Sequence, residues 1–249
     1  MDLDGTLLNS KKNVSDYTVS ILERAKKAKA KIVIATARSK ISSQRIAALI
    51  RPDYMILNGG ALILDDQNKI LYENFISAEA AEKLIGIAAK DSNFGFITVE
   101  TRSGYYVNYR EPAWHPDYLH GTYCDFSEPF REPAYKVTVE IHDEKTAEAI
   151  AKEFPLLKMM RFFEQNWYGI YAQGTGKLNA LEKIAEIEKI PLDRVTSFGD
   201  DINDLEMIKH CGTGIAMSNA AQEVKNAAKF ICESNNDDGV AKWIEKNIL

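Results

Sequence analysis

Short apolar strands alternate with amphipathic helices up to residue 60, and this order is the strongest constraint on the fold. A helix predicted over 15–29 precedes the β-branched run 31–35, and a helix predicted over 39–49 precedes the strand 54–57. Strands and helices that alternate in this way form a parallel sheet with helices packed on its faces. The sequence therefore predicts an α/β fold with a mostly parallel sheet.

The alternation stops after Gly60 and resumes at Thr175. Between these positions the pattern predicts a hairpin and then further strands that alternate polar with apolar residues, as half-buried antiparallel strands do. We therefore predict a Rossmann-like three-layer core formed by residues 1–60 and 172–249, and an inserted α+β domain over 61–171. Glycines stand at both crossings, where they suit hinges.

The charge and composition of the chain argue against several functional classes. The 249 residues carry a net charge of -5, with a pI near 5.5. This balance argues against a nucleic-acid-binding surface, which needs clustered Lys and Arg. No apolar run approaches the roughly 20 residues of a membrane-spanning helix. Three widely spaced cysteines suit neither a disulfide framework nor a zinc site, so we expect a cytoplasmic protein.

Polar side chains follow the ends of the predicted core strands. Because ligands of open α/β sheets bind at the carboxyl ends of the strands, we expect these side chains to converge. In the opening segment, carboxylates two residues apart point to the same side of an extended chain and can straddle a phosphoryl group, and a threonine can offer an anion its hydroxyl and N–H. The candidates are Asp2, Asp4, Thr6, Thr36, Ala37, Lys177 at a helix start, Asp200, Asn203 and Asp204.

This set of residues suits phosphoryl transfer assisted by a hard cation. Carboxylates without a histidine or cysteine cluster suit Mg²⁺, which proteins hold by one or two carboxylates together with substrate phosphate and water. Thr36, Lys177 and Asn203 can bind phosphate oxygens, and an aspartate can form a covalent phosphoryl intermediate. Lys177 and the metal would keep Asp2 ionised as a nucleophile. Asp4, next to another carboxylate, would hold a proton more readily and donate it to the leaving group.

The chain resembles the haloacid dehalogenase superfamily, and within it the Cof-type phosphatases that carry a large α/β cap of type C2B. Four motifs support this resemblance, together with three further segments that look like family landmarks, and all occur in the family's order across the chain. The motifs are Asp2-Leu3-Asp4-Gly5-Thr6-Leu7-Leu8, Ala35-Thr36-Ala37-Arg38, Lys177 and Gly199-Asp200-Asp201-Ile202-Asn203-Asp204-Leu205-Glu206-Met207, and the landmarks are Asn58-Gly59-Gly60, Met217-Ser218-Asn219-Ala220 and Asp237-Asp238-Gly239-Val240-Ala241.

The resemblance implies a Mg²⁺-dependent phosphatase that acts on a small phosphorylated metabolite, such as a sugar phosphate or a nucleotide. It implies that Asp2 is the nucleophile and a Mg²⁺ ligand, and that Asp4 is the general acid/base and gives the metal its backbone carbonyl. The inserted domain would be a cap that closes over the leaving group and selects it. The remaining implied roles are Mg²⁺ ligation by Asp200, with Asp204 behind it or acting through water, and phosphate binding by Thr36, the Ala37 backbone, Lys177 and Asn203.

Some of these residues and the whole scaffold have alternative interpretations. Asp201 followed three residues later by Asp204 is typical of a helix N-cap, which needs no metal. We favour that interpretation for Asp201, and both interpretations stay open for Asp204. Arg38 is expected to form a salt bridge or contact the cap. The same scaffold could serve a phosphomutase, or a protein that binds phosphorylated metabolites without turnover.

Two departures from the family pattern bear on these expectations. Ala37 stands where the family usually has glycine, so the backbone beside the phosphate has less freedom. Only Met1 precedes Asp2, although the nucleophile of the family ends a central strand and strands average roughly 5–6 residues. We therefore expect that the numbered sequence lacks several apolar residues, and that the strands ending at Ala35 and Phe198 lose the neighbour that satisfies their backbone groups.

Overall fold

The computed structural model describes residues 1–109, 121–162 and 166–249. They form two compact units, which we call the core unit and the inserted unit. The core unit comprises residues 1–38, 43–72 and 176–249, and the inserted unit comprises residues 39–42 and 73–175.

Helices and strands form close to where the sequence pattern predicts them. For example, α1 begins after Ser15, whose hydroxyl accepts a hydrogen bond from the Thr18 nitrogen at 3.0 Å and so caps the helix. In chain order the elements are α1 (Asp16–Lys27), β1 (Val33–Ala35), α2 (Lys40–Ile50), β2 (Tyr54–Leu57), β3 (Leu62–Asp65), β4 (Ile70–Glu73), α3 (Ala78–Ala88), β5 (Phe94–Glu100), β6 (Tyr105–Val107), β7 (Thr122–Tyr123), β8 (Lys136–Ile141), α4 (Glu144–Glu153), β9 (Leu157–Arg161), β10 (Trp167–Ala172), α5 (Lys177–Glu188), β11 (Thr196–Gly199), α6 (Leu205–His210), β12 (Thr213–Met217), α7 (Gln222–Ala227), β13 (Phe230–Cys232) and α8 (Gly239–Asn247).

The described strands of the core unit form two sheets. One has the order β1-β2-β3-β4, in which β1 and β2 are parallel and β3 runs antiparallel to β2. The other has the order β11-β12-β13 and is parallel throughout. The parallel pairs are those that the strand–helix alternation predicts, and the antiparallel addition is the hairpin that follows Gly60.

Met1 and Asp2 connect these two sheets. The Met1 nitrogen donates to the Val33 carbonyl at 2.9 Å, and the Ala35 nitrogen donates to the Met1 carbonyl at 2.9 Å. The Asp2 nitrogen donates to the Phe198 carbonyl at 3.1 Å. The first two residues therefore bond to both strands that were expected to lose a neighbour. The expectation of further upstream residues stays a prediction.

Helix α5 buries an apolar face against the first sheet. Ala180, Leu181 and Ile184 recur at helical spacing on α5, and they cluster with Ile56 of β2 and Met207 of α6. Each of these side chains is no more than 5% exposed. This packing fixes the position of α5, whose first residue belongs to the candidate site.

The inserted unit has the predicted α+β composition. In its described part, six strands pair in the order β7-β6-β5-β8-β10-β9, with β6 and β7 parallel and the other neighbours antiparallel. Leu84 and Ile85 of α3 and Ile150 of α4 pack against Val99 and Val137 on one face of this sheet. Across the described residues of both units, every helix is too short or too polar to span a membrane.

The inserted unit starts and ends at different residues from the predicted range 61–171. The hairpin of β3 and β4, up to Tyr72, belongs to the core unit, because Leu62–Asp65 pairs with Tyr54–Leu57 along its whole length. The main segment of the inserted unit therefore runs from Glu73 to Thr175. The hairpin pattern predicts two strands, but it does not predict which sheet they extend.

Candidate active site

The segment after Met1 turns sharply at Gly5. The backbone φ of Gly5 is +76°, in the left-handed region that favours glycine. The backbone N–H groups of Thr6–Leu8 all donate to the Leu3 carbonyl, at 3.3, 3.0 and 2.8 Å. A Cβ atom on residue 5 would lie 2.1 Å from Oδ2 of Asp200. Glycine is therefore required at this turn both by its backbone conformation and by the close approach of a carboxylate.

The Lys177 ammonium joins three other candidate residues. Its Nζ lies 2.7 Å from Oδ1 of Asp2, 2.6 Å from Oδ1 of Asp204 and 2.9 Å from Oδ1 of Asn203. The side chains of Lys177 and Asp204 are no more than 2% exposed. Residues from three distant segments of the chain thus form one buried cluster, as the motif positions predict.

Asp200 extends this cluster to a third carboxylate. Carboxylate oxygens of Asp2, Asp200 and Asp204 all lie within 4.8 Å of one another. The Thr6 hydroxyl donates to Oδ1 of Asp200 at 2.6 Å, so this predicted phosphate-binding group is directed towards a carboxylate here. The three clustered aspartates are the ones whose side chains were predicted to bind metal, since the fourth predicted ligand, Asp4, was expected to use its backbone carbonyl.

The charge balance of the cluster fits a divalent cation. Burial raises the pKa of Asp2 to about 8; Lys177 opposes this rise, while Asp204 and Asp200 add to it. Burial also raises the pKa of Asp200 to about 7, although the Thr6 hydrogen bond opposes it. Asp2 and Asp204 thus share the Lys177 ammonium in a buried place, and Asp200 adds a third carboxylate beside them. A divalent cation would supply the missing positive charge, and a donor set of oxygens alone suits Mg²⁺.

Asp204 combines the two interpretations that the sequence leaves open. Its Oδ2 accepts hydrogen bonds from the nitrogens of Asp200 and Asp201, at 3.1 and 3.2 Å. The Asp201 side chain accepts from the Ile202 nitrogen at 2.7 Å. It also accepts from the Asp204 nitrogen, which together with the bond from the Asp201 nitrogen to Asp204 forms a capping box. The predicted N-cap role of Asp201 is confirmed. Asp204 caps the same turn with one oxygen and faces Lys177 with the other.

Asp4 is paired with two cations. Arg38 binds its carboxylate in a bidentate manner, with Nε 2.6 Å from Oδ2 and Nη2 2.7 Å from Oδ1, and Lys12 Nζ lies 2.6 Å from Oδ1. Burial raises the pKa of Asp4, but Arg38 and Lys12 outweigh burial and hold this pKa below its ordinary value. The prediction that a neighbouring carboxylate makes Asp4 hold a proton is wrong for this state, because cations face its carboxylate. The salt bridge expected of Arg38 is confirmed.

Thr36 and Ala37 follow β1. The Thr36 side chain is buried, and its hydroxyl accepts a hydrogen bond from the Arg38 nitrogen at 3.1 Å. Ala37 is half-buried beside it. Thr36 is therefore linked through Arg38 to Asp4, and the predicted phosphate contacts of Thr36 and Ala37 stay predictions.

The chain matches a family model over nearly its whole sequence, and this match identifies its family. A family model described as haloacid dehalogenase-like hydrolase matches residues 1–244. The chain is a haloacid dehalogenase-like hydrolase. The resemblance that the motifs indicate is confirmed, and the match includes all of the clustered residues.

Several relatives of this hydrolase are named as phosphatases. A 5-amino-6-(5-phospho-D-ribitylamino)uracil phosphatase of Bacillus subtilis, YcsE, is 26% identical over 100% of this chain and 94% of its own length. The pyridoxal phosphate phosphatase YbhA of Escherichia coli is 24% identical over 100% of this chain and 97% of its own. The solved structure of the subclass IIB sugar phosphatase BT4131 has a TM-score of 0.83 at 25% identity and covers 98% of this chain and 96% of its own. The predicted fold class is confirmed by this agreement.

The structure of this hydrolase adds three residues to which the sequence analysis assigns no role. Lys12 pairs with Asp4, and it stands in a polar run where nothing in the sequence distinguishes it from Lys11. The Asn219 side chain donates to the Gly5 carbonyl at 2.8 Å, and the Asn235 side chain donates to the Leu8 carbonyl at 2.8 Å. For Asn219 a signal exists in the sequence, since it lies in one of the landmark segments.

Proposed function

We propose that the chain is a Mg²⁺-dependent phosphomonoesterase that hydrolyses a small phosphorylated metabolite through an aspartyl-phosphate intermediate. The observation that carries this proposal is the buried cluster in which Lys177 bonds to Asp2 and Asp204 while Asp200 lies within 4.8 Å. Such a cluster provides a nucleophile, cation ligands and a fixed positive charge in one place, which is nearly all that phosphoryl transfer requires of a protein. The phosphatases among the relatives support the same reaction.

In the first step, the Asp2 carboxylate attacks phosphorus and the bond to the leaving-group oxygen breaks. Lys177 stabilises the ionised form of Asp2 and orients its carboxylate through the 2.7 Å hydrogen bond. Asp2 and Asp200, together with the Asp4 carbonyl and with Asp204 directly or through water, would hold Mg²⁺, which would supply positive charge to the phosphate oxygens.

Asp4 acts as the acid in the first step and as the base in the second. Its ionised form, which Arg38 and Lys12 favour, is the form that accepts a proton from the water that attacks the phosphoryl-aspartate. Donation of a proton to the leaving group requires the protonated form, so the contacts with Arg38 and Lys12 must loosen before that step.

The remaining candidates bind the phosphate, and the inserted unit selects the leaving group. Thr6, Thr36, the Ala37 backbone, Lys177 and Asn203 supply donors for the phosphate oxygens. The inserted unit, as the cap, contacts the rest of a sugar phosphate or nucleotide. We assign the enzyme to the cytoplasm, which suits its three free cysteines.

Release of inorganic phosphate from a panel of sugar phosphates, nucleotides and an aryl phosphate tests this function. We expect release in Mg²⁺, loss of release in EDTA, and loss on Asp2→Asn, whereas the exposed-site control Asp66→Asn retains activity. No release from any ester would contradict the proposal. Interconversion of phosphate isomers with a bisphosphate primer would instead indicate a phosphomutase, and binding without turnover would indicate a binding protein.

A further inference from the structure

The turn at Gly5 has backbone carbonyls that are satisfied by side chains from the other end of the chain. Asn219 donates from Nδ2 to the Gly5 carbonyl at 2.8 Å, and its Oδ1 accepts from the Asn235 nitrogen at 3.0 Å. Asn235 donates from Nδ2 to the Leu8 carbonyl at 2.8 Å. Two asparagines thus connect both ends of the loop Gly5–Leu8 through one continuous chain of hydrogen bonds.

The segment that carries Asn219 also contacts the loop that carries Asp200. The Ala221 nitrogen donates to the Asp200 carbonyl at 2.9 Å. Thr6 and Asp200 are in turn joined by their side chains. Residues 219–221 therefore connect the loop of the predicted nucleophile to the loop that carries Asp200.

Because residue 5 is a glycine, the hydrogen bond from Asn219 to its carbonyl affects the conformation of the loop. Glycine populates positive and negative φ about equally readily, so the covalent chain alone does not select one orientation of the peptide after Gly5. A hydrogen bond to the Gly5 carbonyl favours the orientation that places Thr6 against Asp200 and keeps Asp4 in position. The effect on the site thus acts through backbone geometry, without contact between Asn219 and the reacting atoms.

We propose that Asn219 and Asn235 are positioning residues that hold the loop Gly5–Leu8 in its catalytic conformation. This inference rests on the proposed function of the Asp2 site. Asn219 is exposed, so its replacement removes no core packing. A loss of activity without a loss of stability is therefore the expected signature.

The first test compares the kinetics of Asn219→Ala with those of Asn226→Ala on the best ester of the panel. Asn226 is a matched control, since it is also exposed and bonds only locally to Gln222 among its described contacts. We expect Asn219→Ala to lower kcat about fivefold to tenfold, the effect of one hydrogen bond, with KM within about twofold. The melting temperature stays equal to that of the control. A kcat equal to the control, or a fall in kcat that is matched by a fall in melting temperature, overturns the proposal.

The double variant tests whether the two asparagines act as one connection. Asn219→Ala combined with Asn235→Ala should lower kcat by less than the product of the single effects, because the first substitution already releases the loop. Independent, multiplicative effects would contradict a shared connection.

Amide hydrogen exchange provides a readout that does not depend on turnover. In Asn219→Ala, the amides of Thr6, Leu7 and Leu8 should exchange faster than in the wild type, while those of the core helix α5 are unchanged. Unchanged exchange at Thr6–Leu8 overturns the proposal even when the enzyme is active. If no ester is hydrolysed but exchange increases, the proposed function fails and the positioning of the loop stands.

Discussion

Lys177 and Asp204 form an ion pair of 2.6 Å in which neither side chain is more than 2% exposed. Asp2 bonds to the same ammonium at 2.7 Å. A buried ammonium between two carboxylates has a structural role, because a charged group needs its partner to remain charged away from water. In the proposed function the same ammonium also has a catalytic role. The substitutions below separate these contributions.

Lys177→Met should lower both stability and activity. Two buried carboxylates lose their counter-ion, so we expect a loss of about 3–5 kcal/mol in the free energy of unfolding without Mg²⁺, and a fall in kcat of at least about 100-fold. Urea unfolding and phosphate release measure the two effects. Lys246→Met, at an exposed site, is the control. Wild-type stability and turnover in Lys177→Met would show that the cluster has neither role.

Gly5→Ala should inactivate the enzyme through steric conflict as well as backbone strain. Gly174 is a matched control, since its φ of +77° is nearly the same but no atom of the described residues, apart from its own chain neighbours, lies within 4 Å of the Cβ position. Gly174→Ala should cost about 1–2 kcal/mol from the left-handed conformation alone. Gly5→Ala should cost more and abolish turnover, because the new Cβ displaces Asp200. Equal unfolding free energies and retained activity in both variants would contradict the proposed contact.

Mg²⁺ should stabilise the folded protein against heat and urea. A ligand that binds only the folded state adds about 2.7 kcal/mol at 100 times its Kd, and the clustered carboxylates of Asp2, Asp200 and Asp204 provide the binding charge. Asp200→Asn should weaken Mg²⁺ binding in calorimetry, and Asp66→Asn should not. A melting temperature that does not respond to Mg²⁺ or EDTA would contradict a cation site in this cluster.

The low pKa of Asp4 has a consequence for stability at acid pH. Because this pKa is below the ordinary value of 3.8, the ionised form contributes stability above that pH, and the contribution is lost as the pH falls through the lower pKa. Relative to Asp4→Asn, the wild type should therefore lose stability as the pH decreases below 3.8. Urea unfolding over this range measures the difference. A difference that is independent of pH would show that Arg38 and Lys12 do not lower the pKa of Asp4.

The positions of the motifs predict which residues lie close together in the fold, because parallel strands bring their carboxyl ends to one edge of a sheet. Asp2, Lys177 and Asp204 are far apart in sequence, yet the prediction places them together and the structure confirms it. The N-cap role of Asp201 is equally predictable, since a capping box depends on residues only three positions apart.

Other features depend on side-chain packing that sequence spacing does not encode. The cations around Asp4 reverse its predicted protonation, and Lys12 approaches it only because the loop after Leu8 folds back. The hairpin Leu62–Glu73 has a correct strand pattern but extends the core sheet, because its partner Tyr54–Leu57 is chosen by three-dimensional packing. Asn219 and Asn235, which bond to the loop Gly5–Leu8, lie more than 200 residues away from it in the sequence.

The most direct test of the central claim is the location of the phosphoryl group during turnover. The enzyme is mixed with its best ester and Mg²⁺, quenched in acid and digested, and the peptides are analysed by mass spectrometry. We predict one added phosphoryl group on Asp2 in the wild type and none in Asp2→Asn. A phosphoryl group on another residue, or continued phosphate release by Asp2→Asn, would contradict the assignment of Asp2 as the nucleophile.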